Sequence, residues 1–142
     1  MTLFISYGMT RSGSTLAFET EKAILEKYGM PQEKIIIKGL ENWIENYLPE
    51  KYLSDINSLK KINEETGTNF VVFKTHGAAN EKLLDFIRKY KIPVTISVRD
   101  PKDIVISLLE ISKKNRSINE TGFINIISFK DALKNIEEDI WR

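Results

Sequence analysis

A chain of 142 residues with no cysteine excludes disulfides, thiolate zinc sites and cysteine nucleophiles together. Its 42% hydrophobic and 29% charged residues describe a soluble globular protein, expected as one domain over residues 1–142 that buries roughly two-thirds of its unfolded surface. The formal net charge of +1 supplies no basic field for nucleic acid or anionic membrane, and no apolar run suits a signal peptide or a membrane span, so the expected location is cytoplasmic.

In chain order, Leu3 to Tyr7 reads as a buried strand, followed by the loop Gly8-Met9-Thr10-Arg11-Ser12-Gly13-Ser14-Thr15. A helical pattern runs from about Ser14 to Tyr28, with Leu16, Ala17, Ala23, Ile24 and Tyr28 as its expected apolar face and Gly29 as its stop. Strand, tight loop and helix start make an anion site, because unpaired N–H groups and the helix dipole point into the loop. Gly8, Gly13 and Thr15 fall where a Walker A loop has its glycines and its Ser/Thr. Ser14 stands in the place of the Walker lysine, and Arg11 lies within the loop. That substitution points to a phosphate-bearing ligand other than Mg-ATP. Taken alone, the loop is equally well read as a glycine-rich turn without a ligand.

Lys34 to Lys38 is a possible strand, Asn42 to Leu48 a possible short helix before Pro49, and Ser54 to Glu65 an amphipathic helix with Ile56, Leu59 and Ile62 on one face and Gly67 just beyond it. Phe70 to Phe73 is a strand that leads into Lys74-Thr75-His76-Gly77. Asn80 caps a helix carrying Leu83, Leu84, Ile87 and Tyr90. Pro93 to Val98 is an uncharged strand, expected to be covered on both faces. Asp100 as N-cap, Pro101 in the first turn and Asp103 behind it open a helix that reaches the basic run Lys113 to Arg116. The tail is one more helix, with Ser128 and Asp131 as a capping box and Leu133, Ile136 and Ile140 facing inward.

Strands alternating with helices imply an α/β fold with a mainly parallel sheet, in which ligands gather beyond the carboxyl ends of the strands. The polar clusters Gly8 to Thr15, Lys74 to His76 and Arg99 to Ser107 all begin at such ends. His76, the only histidine, is suited there to act as a general base, although a lone histidine is more often structural. Arg99 reads either as a partner of Asp100 or Asp103 or as a phosphate clamp, with Ser107 adding a hydroxyl or merely a small helix contact.

In that order, Thr10-Arg11-Ser12-Gly13-Ser14-Thr15, Lys74-Thr75-His76 and Arg99-Asp-Pro-Lys-Asp-Ile-Val-Ile-Ser107 resemble the sulfotransferases that use 3′-phosphoadenosine-5′-phosphosulfate (PAPS). The resemblance spans roughly Met1 to Arg116 and implies a three-layer α/β/α, P-loop NTPase-like fold. It implies that Arg11, Ser12, Gly13, Ser14 and Thr15 bind the 5′-phosphosulfate and that Arg99 and Ser107 bind the 3′-phosphate. His76, Arg11 and Lys74 are then the catalytic residues. PAPS is the co-substrate, no metal is expected, and the acceptor is a small molecule or glycan with a hydroxyl or amine. Cytosolic members carry a lysine where Arg11 stands. Many members are longer and have a late G-x-x-G-x-[KR] segment, which Gly122, the only glycine after Gly77, cannot form. A small-molecule kinase of the P-loop type and a non-catalytic nucleotide-binding module are the alternatives.

Overall fold

The computed structural model describes residues 3–32, 46–53, 55–65 and 70–141, which form a mixed α/β fold around three parallel strands. Among the described residues the elements run β1 (Leu3–Gly8), α1 (Ser14–Lys27), α2 (Glu50–Leu53), α3 (Ile56–Glu65), β2 (Val71–Thr75), α4 (Glu81–Tyr90), β3 (Val94–Ser97), α5 (Pro101–Ser117) and α6 (Phe129–Trp141). The strand order is β2-β1-β3, with Ile5 opposite both Phe73 and Val94. All three strands therefore deliver their carboxyl ends to one edge, and the loop after β1 is flanked by the ends of both neighbours. The strand expected over Lys34–Lys38 and the stop at Gly67 lie outside the described residues.

Strand alternation sorts the sheet into two unlike faces. Leu3, Ile5, Val71 and Phe73 pack with Leu48, Leu53, Leu59, Ile62, Leu83, Phe86 and Ile92 into the main core. Each such side chain, fully buried, contributes about 1.5–3 kcal/mol. The opposite parity carries Phe4 and the fully buried Val72, then Ser6 with Lys74 and Thr95 beside it in register. The polar part of this face meets α1: Lys74 Nζ donates to Thr15 Oγ1 at 2.6 Å, and Thr95 Oγ1 donates to the Glu21 carboxylate. A second cluster joins Ile104, Val105 and Leu108 of α5 to Ile126, Ala132 and Ile136, with Met9 of the first loop packed against it.

The local signals hold where the chemistry is local. The Asn80 side chain accepts from Leu83 N–H at 3.0 Å, and that of Asp100 accepts from Lys102 N–H at 2.8 Å. Ser128 and Asp131 form the expected box: Ser128 N–H donates to Asp131 Oδ2 at 2.9 Å, and Asp131 N–H donates to Ser128 Oγ at 3.2 Å.

Four expectations need correction. Leu16, Ile24 and Tyr28 do not form the inner face of α1; they are 75%, 50% and 76% exposed, and Phe18 is the buried apolar residue of that helix. The helix meets a sheet face that is polar at Ser6, Lys74 and Thr95, and its hydrogen bonds to Lys74 and Thr95 are what a hydrophobic count cannot see. Of the possible helix over Asn42 to Leu48, residues 42–45 lie outside the described residues; Asn46 is a turn residue at φ 58°, and Tyr47 bridges β2 rather than continuing a helix, because Lys74 N–H donates to the Asn46 carbonyl and Leu48 N–H to the Lys74 carbonyl. Among the described residues the strand at residues 94–97 lies at an edge of the sheet, and it is not covered on both faces: Ile96 is exposed. On α6, Ile136 and Ala132 are buried while Leu133 is exposed, since Ala132 rather than Leu133 faces α5.

Phe73 lies at the centre of the main core, fully buried. Phe73→Ala should cost about 3–5 kcal/mol in denaturant unfolding, whereas the exposed Ile96→Thr should change stability by no more than about 0.5 kcal/mol. The Ser128 hydroxyl, with the backbone N–H groups of Ile127 and Ser128, holds the Asp131 carboxyl below its ordinary pKa. The contribution of this cap is present above the ordinary carboxylate pKa and is lost as pH falls through the lowered folded value. The protection of amides at the start of α6, measured relative to their intrinsic exchange rate at each pH, should therefore fall on acidification, and in Asp131→Asn that pH dependence should largely vanish.

Candidate active site

Gly8 ends β1 at a close approach. A Cβ placed there would lie 2.7 Å from Ser14 Cβ, 2.9 Å from Ser12 Oγ and 3.0 Å from Ser97 Cβ, so only glycine lets loop and strand ends close together. The loop turns through Arg11 and Gly13, whose φ values are 66° and 91°. Ser12 is buried, its hydroxyl and N–H both donating to the Met9 carbonyl, so its side chain shapes the loop from within. Gly13 caps α1 without a side-chain hydrogen bond, and the first turn has no acidic residue. The backbone donors at this helix start are thus turned to the cavity with the favourable dipole end.

Thr75 fixes the second segment. Its fully buried hydroxyl donates to the Leu48 carbonyl at 2.8 Å and accepts from Gly77 N–H at 3.1 Å. The turn carrying His76 is locked from both sides, and His76 Nδ1 hydrogen-bonds the Gly8 carbonyl. Lys74, two residues earlier, points to the α1 side and reaches Thr15.

The third segment meets the first directly. Arg11 Nε donates to Ser107 Oγ at 3.0 Å, and Arg99 Nη1 donates to the Arg11 carbonyl at 3.3 Å. Arg99 also lies 3.9 Å from Asp103, an exposed pair of small energetic weight. Thr10, Arg11, Gly13, Ser14, Thr15, Leu16, His76, Arg99 and Phe123 line one cavity of about 410 Å³. None of these residues is acidic. Two guanidiniums and a helix start give it a lining of the kind that favours negative charge.

Of the residues singled out from sequence, Arg11, Gly13, Ser14, Thr15, His76 and Arg99 line the cavity together, while Ser107 and Lys74 are hydrogen-bonded to lining residues. Sequence reading missed Phe123. It sits at φ 61° in the turn before α6, held there because Asn115 Nδ2 donates to the Gly122 carbonyl and Arg116 Nη1 to the Ile124 carbonyl. The Thr-Gly pair before it signals only a turn. It also missed Leu16 as a lining residue, having assigned it to the core. Among the described residues, no three His, Asp or Glu side chains gather as a metal site, and no helix is long and apolar enough to cross a membrane.

Compared with protein-family models, functionally characterised proteins and solved structures, the chain finds no match.

Two substitutions test this geometry. Gly8→Ala should lower stability by about 1–3 kcal/mol through overpacking. Thr75→Val, which orphans the Leu48 carbonyl and Gly77 N–H, should cost a similar amount, roughly 1–3 kcal/mol. Thermal or denaturant unfolding reads both.

Proposed function

We propose that this chain is a PAPS-dependent sulfotransferase-like domain that transfers a sulfuryl group to a hydroxyl or amine of a small-molecule or glycan acceptor. On this reading it is a single three-layer α/β/α domain of P-loop NTPase-like type, cytoplasmic, and works without a metal. One observation supports it above the rest: the loop after β1, the end of β2 and the start of α5 converge on one cavity, with Arg11 bonded to Ser107 and Arg99 bonded to the Arg11 carbonyl. Two arginines and a serine hydroxyl beside an open helix start suit a ligand with two separated anionic groups.

PAPS supplies an activated sulfuryl group on a phosphate leaving group. The α1 amides with Ser14 and Thr15 hold the 5′-phosphosulfate, within the loop that Ser12 and Gly13 shape. Arg99 and Ser107 hold the 3′-phosphate. His76 takes the proton from the acceptor as the new S–O bond forms. Arg11, with Lys74 behind Thr15, offsets the charge that builds on the departing phosphate as the old S–O bond breaks. The Lys74–Thr15 hydrogen bond also favours a second reading, a small-molecule kinase, because it brings a lysine to the loop much as a Walker A motif does. That enzyme would require Mg²⁺ and ignore a 3′-phosphate. A binding module without turnover would take up nucleotide and transfer nothing.

Transfer of label from PAPS to a panel of hydroxyl and amine acceptors tests the proposal. His76→Ala should lower kcat by about 10²–10⁴-fold with nucleotide affinity kept. Equal turnover in wild type and variant would remove His76 from the chemistry.

A further inference from the structure

The His76 ring is held on two sides by groups outside the motifs that drew attention to it. Its Nδ1 meets the Gly8 carbonyl, and its ring pairs with the ring of Tyr47, with centroids 5.7 Å apart and planes inclined by 53°. That separation lies within the range of favourable tilted aromatic pairs. Tyr47 is itself fixed by backbone pairing with β2. It bridges Lys74 in parallel, between Lys74 N–H to Asn46 carbonyl at 3.0 Å and Leu48 N–H to Lys74 carbonyl at 2.7 Å. The next residue, Leu48, is fully buried and accepts from the Thr75 hydroxyl. Tyr47 and His76 therefore ride on two paired segments, and their spacing does not depend on a long loop.

We propose that Tyr47 is a positioning residue that, with the Gly8 carbonyl, holds His76 as the Nδ1–H tautomer with its basic lone pair on Nε2. A carbonyl oxygen only accepts, so the nitrogen facing it carries the proton, and a neutral imidazole then has its lone pair on the other nitrogen. A flip of the ring would trade the Gly8 hydrogen bond for a C–H contact, and the Tyr47 ring packed beside it at 5.7 Å restricts the swing that a flip needs. Tyr47 touches neither ligand nor reacting atom in this role; it acts through His76.

The inference builds on the reading of His76 as the base. In the transfer step, Nε2 takes the acceptor's O–H or N–H proton. The acceptor's electron pair forms the new bond to sulfur, and the S–O bond to the 5′-phosphate breaks with its electrons leaving on the phosphate oxygen. A proton already parked on Nδ1 against a backbone acceptor leaves Nε2 as the basic nitrogen of the neutral ring.

His76 is the chain's one histidine, so its ring ¹⁵N shifts report the tautomer without ambiguity. They are to be measured above the ring's titration, with no nucleotide or acceptor, in wild type, Tyr47→Phe, Tyr47→Leu and Tyr47→Met. Wild type and Tyr47→Phe should give Nδ1–H, while whichever of Tyr47→Leu and Tyr47→Met folds should give a mixture of tautomers. A wild-type ring in the Nε2–H form overturns the proposal whatever the variants do, and so does an unchanged Nδ1–H ring in a folded aliphatic variant. In a transfer assay the aliphatic variant should lose about 10- to 100-fold in kcat with nucleotide affinity unchanged, since small misplacements of reacting groups cost that much. A wild type that transfers nothing defeats the sulfotransferase reading; the tautomer result is read independently of it.

Discussion

The close approach at Gly8 is the constraint on which the cavity depends. One residue ends the central strand, admits Ser14, Ser12 and Ser97 to within a distance that no Cβ would permit, and offers its carbonyl to His76. The loop after β1, the neighbouring strand β3 and the histidine are thus referred to a single backbone position. Because β1 lies between β2 and β3, that position is also where the ends of all three strands meet. Side chains from residues 11, 76 and 99, far apart in sequence, are gathered by topology rather than by local conformation.

The two faces of the sheet serve different ends. The face of Ile5 and Phe73 is a hydrophobic core in the ordinary sense, filled by α2, α3 and α4. The face that carries Phe4 and Val72 turns polar at Ser6, Lys74 and Thr95, where it is met by a helix whose contacts include a threonine and a glutamate. Hydrogen bonds across that interface orient α1, and with it the helix start that opens on the cavity. The cost is visible on the outside, where Leu16, Ile24 and Tyr28 face solvent. Met9 offers an apolar anchor for the loop by packing against the cluster between α5 and α6.

What could be read in the sequence was whatever local chemistry decides. Asn80, Asp100 and the Ser128–Asp131 box announce helix starts through side chains that bond to their own backbone within three residues. The three polar clusters could be foreseen at one edge because parallel strands put their ends together. The orientation of α1, the exposure of β3 and the extended path through Tyr47 depend on which element lies opposite, and nothing within those segments encodes it. Phe123 and Tyr47 were invisible for the same reason: each reaches the site through bonds that distant residues make to its neighbours in the chain.

The proposed function is tested most directly by calorimetric titration of adenosine 3′,5′-bisphosphate, 5′-AMP and Mg-ATP against wild type and Arg99→Ala. The account predicts clear preference of the wild type for the bisphosphate, and a loss of about 10- to 100-fold in Arg99→Ala, the weight of a charge-assisted hydrogen bond. Preference for Mg-ATP, or equal binding with and without the 3′-phosphate, would contradict it.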